Sequence, residues 1–143
     1  MLTKRFFISW LVASAVMFML SYLWHGIILN DYSRLSYPTQ LFLIFSSIVY
    51  LIIGFVVAKA IDIQFLETYF KRKPILRGAL CGAACGLLFF LMATVIGVSF
   101  STGANVKNLL FDVTWQILEQ SIGGVMVGLV HIFVYDSNVS FED

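Results

Sequence analysis

The sequence predicts an all-α integral membrane protein, a four-helix bundle with both termini cytoplasmic, and two observations carry that prediction. Of 143 residues, 60% are apolar and only 12% charged, with a mean hydropathy of +0.93. That is more apolar surface than a water-soluble domain can bury. The apolar residues also fall into four long runs, Phe6 to Leu29, Thr39 to Ile61, Ile75 to Phe100 and Leu109 to Tyr135. Crossing a hydrocarbon core of roughly 30 Å takes about 20 residues of helix, which each run supplies. Backbone groups in lipid must be satisfied internally, and there is no alternating barrel pattern, so the spans are helices.

The first run follows Lys4 and Arg5 and superficially resembles a signal peptide, but it is too long and lacks a small-residue cleavage site. It reads as a retained first span. The second and third runs are joined by Asp62 to Lys73, in which Phe65, Leu66, Tyr69 and Phe70 recur at helical spacing before a basic cluster. An interfacial segment is expected there, with Lys71, Arg72, Lys73 and Arg77 meeting lipid headgroups or serving as ordinary topogenic charge. Basic residues gather at the N-terminus and around this connection, while the other two loops carry only Arg34 and Lys107. The positive-inside rule therefore puts the N-terminus and the middle connection in the cytoplasm, and an even number of spans returns the C-terminus there. Asn138-Val139-Ser140 matches a glycosylation acceptor but lies on that cytoplasmic tail, where it is silent. Pro38 and Pro74 sit where a first helical turn tolerates proline. Trp10, Trp24, Tyr32, Tyr37 and Tyr135 fall near span ends, where amphipathic rings favour the headgroup region.

The third run opens with Gly78, Gly82 and Gly86 at spacing four, and the fourth carries Gly124 and Gly128. Ridges of small residues let helix backbones approach closely in lipid, so these two spans are expected to pack together, although the same motif also serves homodimers. Cys81 and Cys85 flank the first ridge and read as small packing residues, since two thiols are too few donors for a metal site.

The fourth run carries the most information about a site. At about 100° per residue, Asp112, Gln116, Glu119 and Gly123 fall within roughly 60° of one another and form a polar stripe. Asp112 is near the outer interface and Glu119 about 10 Å deeper, near mid-membrane. A carboxyl at that depth is a functional candidate, either exchanging protons or hydrogen-bonded to a neighbouring helix as packing glue. His25 closes the first span at the level of Asp112, so the two are expected to pair. His131 lies at the opposite end, something like 25 Å or more away by helical rise, which excludes a haem held by both histidines in one chain.

No phosphate-binding loop, zinc-protease motif or nucleophile with histidine and acid at credible spacing occurs, so no catalytic residues, metal or cofactor are expected. A net charge of +1 gives no basic face for nucleic acid. The expected partners are membrane lipids and either other membrane subunits or a second copy of the chain. The leading expectation is a non-catalytic accessory subunit or homo-oligomer acting through helix contacts. The alternative is a small proton-coupled channel or carrier using Glu119.

The end of the first run, Leu23-Trp24-His25-Gly26-Ile27-Ile28-Leu29, together with the polar-then-glycine pattern from Asp112 to Gly128, resembles a small bacterial membrane family catalogued as domain of unknown function 1761. In that family the first helix closes with Leu-Trp, an aromatic residue, glycine and proline, where this chain has His25 and Ile27 in the aromatic and proline positions. The resemblance implies a compact four-helix fold in a bacterial inner membrane and brings no established activity with it.

Overall fold

The computed structural model describes residues 3–35, 37–70, 72–98 and 106–134, and within them the chain is helical with no strand. Among these described residues four helices are long and apolar enough to cross a membrane. Helix α1 (Lys4–Ser21) begins where the Thr3 hydroxyl accepts a hydrogen bond from the Phe6 amide at 3.2 Å. It runs without a break into a π-helical segment, Tyr22–Ile28. Helices α2 (Thr39–Ala60), α4 (Pro74–Val98) and α5 (Val106–Phe133) complete the bundle, and a six-residue helix α3 (Gln64–Tyr69) occupies the connection expected to be interfacial. Pro38 precedes the first turn of α2 and Pro74 opens α4, positions at which a missing amide hydrogen is harmless. Lys71, Tyr135 and the Asn138 acceptor lie outside the described residues, as does most of the expected loop from Ser101 to Asn108.

The helices alternate in direction. Gly78, Gly82 and Gly86 face Gly124, Gln120 and Gln116 in turn, so α4 and α5 are antiparallel. Trp10 bonds to Leu51 and Phe18 meets Tyr50, which orders α1 and α2 in the same way. The first turn of α1 and the last turn of α5 therefore lie at the end that carries α3.

Helix α5 is the centre of the bundle. Of its most apolar stretch 39% is buried, against 22% for α2 and for α4. Its Gly123 receives Met17 of α1, and Val127 joins Ala13, Met17, Val57 and Ile61 in a core without exposure. On its other side a Cβ added at Gly78 would fall on the Gly124 carbonyl, and one at Gly82 on the Gln120 carbonyl. One at Gly86 would lie 2.7 Å from the Gln116 carbonyl oxygen. Backbone rests on backbone along that whole seam, the close approach that small residues at every fourth position allow.

Helix α2 is held differently. Gly54 admits Ser14, and the Trp10 indole donates to the Leu51 carbonyl at 2.7 Å. Phe6 and Trp10 each meet Phe55 edge-on, with the Lys59 ammonium 4.9 Å from the Phe6 ring centre. Trp10 is thus committed to an interhelical bond. Beyond α1, α2 makes only sparse contact with α4 and α5.

Candidate functional site

The π-helical turn sets the geometry at the far end of α1. Gly26 lies against the Tyr32 ring, where a Cβ would come within 2.8 Å of Cε2, so only glycine fits without a shift. Asn30 adopts a left-handed conformation at φ 53°, tolerated by a short polar side chain, and turns the chain into a single 3₁₀ turn, Asp31–Arg34. This reversal brings Asp31 back to His25, with Oδ2 3.1 Å from Nδ1. The expected pairing of His25 with Asp112 is therefore replaced by a partner six residues along the chain. Closing so short a loop restricts the chain far less than bridging to another helix. The space between α1 and α5 at this level is filled by Trp24 stacked on Trp115, centroids 4.2 Å apart and planes 10° apart. Asp112 stays exposed, on a groove of about 550 Å³ that it shares with Trp24, Asp31 and Asn108. Burial, ahead of the neighbouring Tyr22 and Asp31, holds the Tyr32 hydroxyl above the ordinary phenol range.

Glu119 is fully buried. The Trp115 indole, one turn earlier on α5, donates to its Oε2 at 3.0 Å, and the Tyr50 hydroxyl of α2 lies against the same carboxyl. Oε1 completes no hydrogen bond, and neither does either end of the buried Gln120 amide. A carboxyl taken out of water with half its acceptor capacity unused is an uncommon arrangement, because buried polar groups are nearly always satisfied. Of the polar stripe read from the sequence, Gln116 and Glu119 point toward the interior, while Asp112 does not join them.

Tyr50 also lines a cleft of about 510 Å³ between the α1–α2 half of the bundle and the α4–α5 half. His25, Ser21, Ser46 and Gln116 supply its polar wall, and the rest is mainly aromatic. Tyr50 thus stands between the cleft and Glu119. Nothing singled out Tyr50 in the sequence, since a tyrosine inside an apolar span looks like a packing residue. Its depth in the run, away from either headgroup level, was the available signal. The Trp115-x-x-x-Glu119 spacing was a second, because residues four apart share a helix face.

At the α3 end, Arg77 is buried, with Nη1 3.8 Å from the Glu67 carboxylate of α3. It ties α4 to α3 and does not turn outward toward headgroups. Arg72 and Lys73 are exposed. His131 sets Nε2 3.5 Å from Asp62 and Nδ1 2.9 Å from the Val127 carbonyl. That hydrogen bond lowers the Asp62 carboxyl below its ordinary value against the opposing effect of partial burial. The Cys81 thiol bonds to the Ala60 carbonyl at 3.4 Å, and both cysteines are buried. Among the described residues no three metal-ligating side chains come together. No protein-family model, curated protein or solved structure matches the chain.

Proposed function

We propose that this chain is a multi-pass protein of a bacterial inner membrane, crossing it four times with both ends cytoplasmic. It acts without catalysis through helix contacts, as a homo-oligomer or an accessory subunit. One observation carries the reading: α2 is seated mainly on α1 and touches α4 and α5 only sparsely, so one side of the bundle is left open between two apolar helices. Ile44, Ile48 and Ile52 of α2 and Leu88, Leu91 and Val95 of α4 all turn outward. In lipid, association depends on shape and packing, because lipid tails are as apolar as the side chains they touch. An open side of this kind suits another helix. Lys4, Arg5, Lys59, Arg72, Lys73 and Arg77 all belong to the α3 end, which supports a cytoplasmic location for that end. The residues shared with domain of unknown function 1761 support the same architecture. Native mass spectrometry of the protein extracted in mild detergent tests this. Heterologous subunits or a closed homo-oligomer support the proposal, and a mass of one chain with lipid alone removes it.

A second reading is a small proton-coupled channel or carrier. The observation favouring it is the Glu119 carboxyl, fully buried, with Oε1 unbonded and Tyr50 between it and the cleft. Intramembrane carboxyls of this kind mark proton and ion pathways. Proteoliposomes of wild type and Glu119→Gln decide it: equal flux in the two, or none above empty vesicles, eliminates the carboxyl from transport.

A further inference from the structure

We infer that the cleft between α1, α2, α4 and α5 is a binding site for a lipophilic monovalent cation, such as a quaternary ammonium or phosphonium with an apolar body. The inference rests on the site of the second reading but concerns equilibrium binding, which does not require transport.

The cleft's volume of about 510 Å³ is that of a small-molecule site. Six aromatic rings border it, those of Tyr37, Phe42, Phe45, Tyr50, Phe89 and Phe90. Ring faces carry negative electrostatic potential and attract cations, most strongly where water is excluded. No lysine or arginine is among the residues that line it. The only basic side chain there is His25, whose Nδ1 is already engaged with Asp31, so any charge on the imidazole is compensated locally. Behind Tyr50 stands Glu119, buried and with one oxygen unused. In its ionised form, which a cation in the cleft favours, that carboxyl acts over several ångströms with little screening, since Coulomb interactions strengthen several-fold as the effective dielectric falls.

These features discriminate between occupants. A neutral lipid gains the aromatic wall and nothing from Glu119. An anion meets both the ring faces and the carboxylate unfavourably. A bare metal ion wants a set of oxygen, nitrogen or sulfur ligands, and no group of three metal-ligating residues occurs among the described residues. A cation whose charge is shielded by apolar groups satisfies the whole lining. Ser21, Ser46 and Gln116 then solvate its edge.

The test is titration of the purified protein, in a neutral detergent, with tetraphenylphosphonium and with the uncharged triphenylphosphine oxide, read by isothermal calorimetry. The expected result is saturable binding of one cation per chain, at least tenfold tighter than the neutral probe. Glu119→Gln brings that ratio close to one, and Gln116→Lys, which places a positive charge in the cleft wall, removes cation binding. Both variants must elute and show helicity as the wild type does. Should Glu119→Gln aggregate, Gln116→Lys decides alone. Absence of saturation, or a charge preference that survives in a folded variant, overturns the inference. Binding without Glu119-dependent proton flux in vesicles sinks the carrier reading alone, and such flux without binding sinks this inference alone.

Discussion

Between α4 and α5 the two backbones touch, whereas between α2 and α4 the helices stand apart around a cleft of about 510 Å³. The two regions share a composition of apolar residues, and what separates them is side-chain size at the facing positions. In the seam Gly78, Gly82 and Gly86 lie against the backbone of Gly124, Gln120 and Gln116, while Phe45 and Tyr50 border the gap with Phe89 and Phe90. In lipid, burying a large apolar side chain against another gains little, because the acyl chains were equally good neighbours. Small residues gain more, since they allow the peptide planes and their dipoles to approach. Rigid attachment and open space thus succeed one another along α4, the seam running from Gly78 to Gly86 and the cleft opening from Phe89 to Ala93.

The sharpest way to break this contrast is to add the same bulk to each side. Gly82→Leu forces a side chain into the Gln120 carbonyl, so the helices must separate along the entire seam. The expected destabilisation is about 3 kcal/mol or more, at the upper end for overpacking because backbone cannot move aside as a side chain does. Ala93→Leu, which projects into the cleft, is expected to change stability by less than about 0.5 kcal/mol, as for other substitutions into open space. Thermal unfolding in detergent, followed by tryptophan fluorescence, compares the two. Similar losses in both variants would mean that the cleft side is as tightly packed as the seam.

The helices were legible because each is a run of about 20 apolar residues, a signal set by the thickness of a bilayer. The contact between α4 and α5 was legible for a related reason: glycines at spacing four mark one face of a helix whatever surrounds it. The site was only half legible. Spacing placed Gln116 and Glu119 on one face, but the partner of His25 depended on a reversal of the chain at Asn30, which no periodicity encodes. The π-helical turn across Tyr22–Ile28 was equally hidden, because it is stabilised from outside the segment by Tyr32 on Gly26 and Trp115 on Trp24. Helix α5 begins at Val106 and not at Leu109, since Lys107 and Asn108 are polar enough to look like loop yet continue the helix.

Inside the bundle the same comparison can be sharpened at Glu119. Glu119→Gln keeps a carbonyl oxygen to accept from the Trp115 indole and should leave stability within about 0.5 kcal/mol of wild type. Glu119→Leu strands that N–H and is expected to cost about 1 kcal/mol, in line with polar contacts between and within membrane helices. Melting curves for both variants that coincide with wild type would show that the carboxyl and its bond to Trp115 contribute nothing measurable to the fold.

The smallest expected effect lies at the α3 end, where Asp62 links the connection after α2 to His131 of α5. The hydrogen bond from His131, aided by the charges of His131, Lys59 and Arg5, holds the Asp62 carboxyl below its ordinary value. A group depressed in this direction contributes its stability in full above the unfolded-state value, near pH 4, and loses it as the pH falls through the folded-state value. Wild type should therefore lose more stability than Asp62→Asn as the pH is lowered below about 4. With the carboxyl side chain 48% exposed, solvent screening limits the difference to about 0.5 kcal/mol. Parallel unfolding curves at pH 3 and pH 6 measure it. An Asp62→Asn variant with undiminished acid sensitivity would mean that this pair touches without holding.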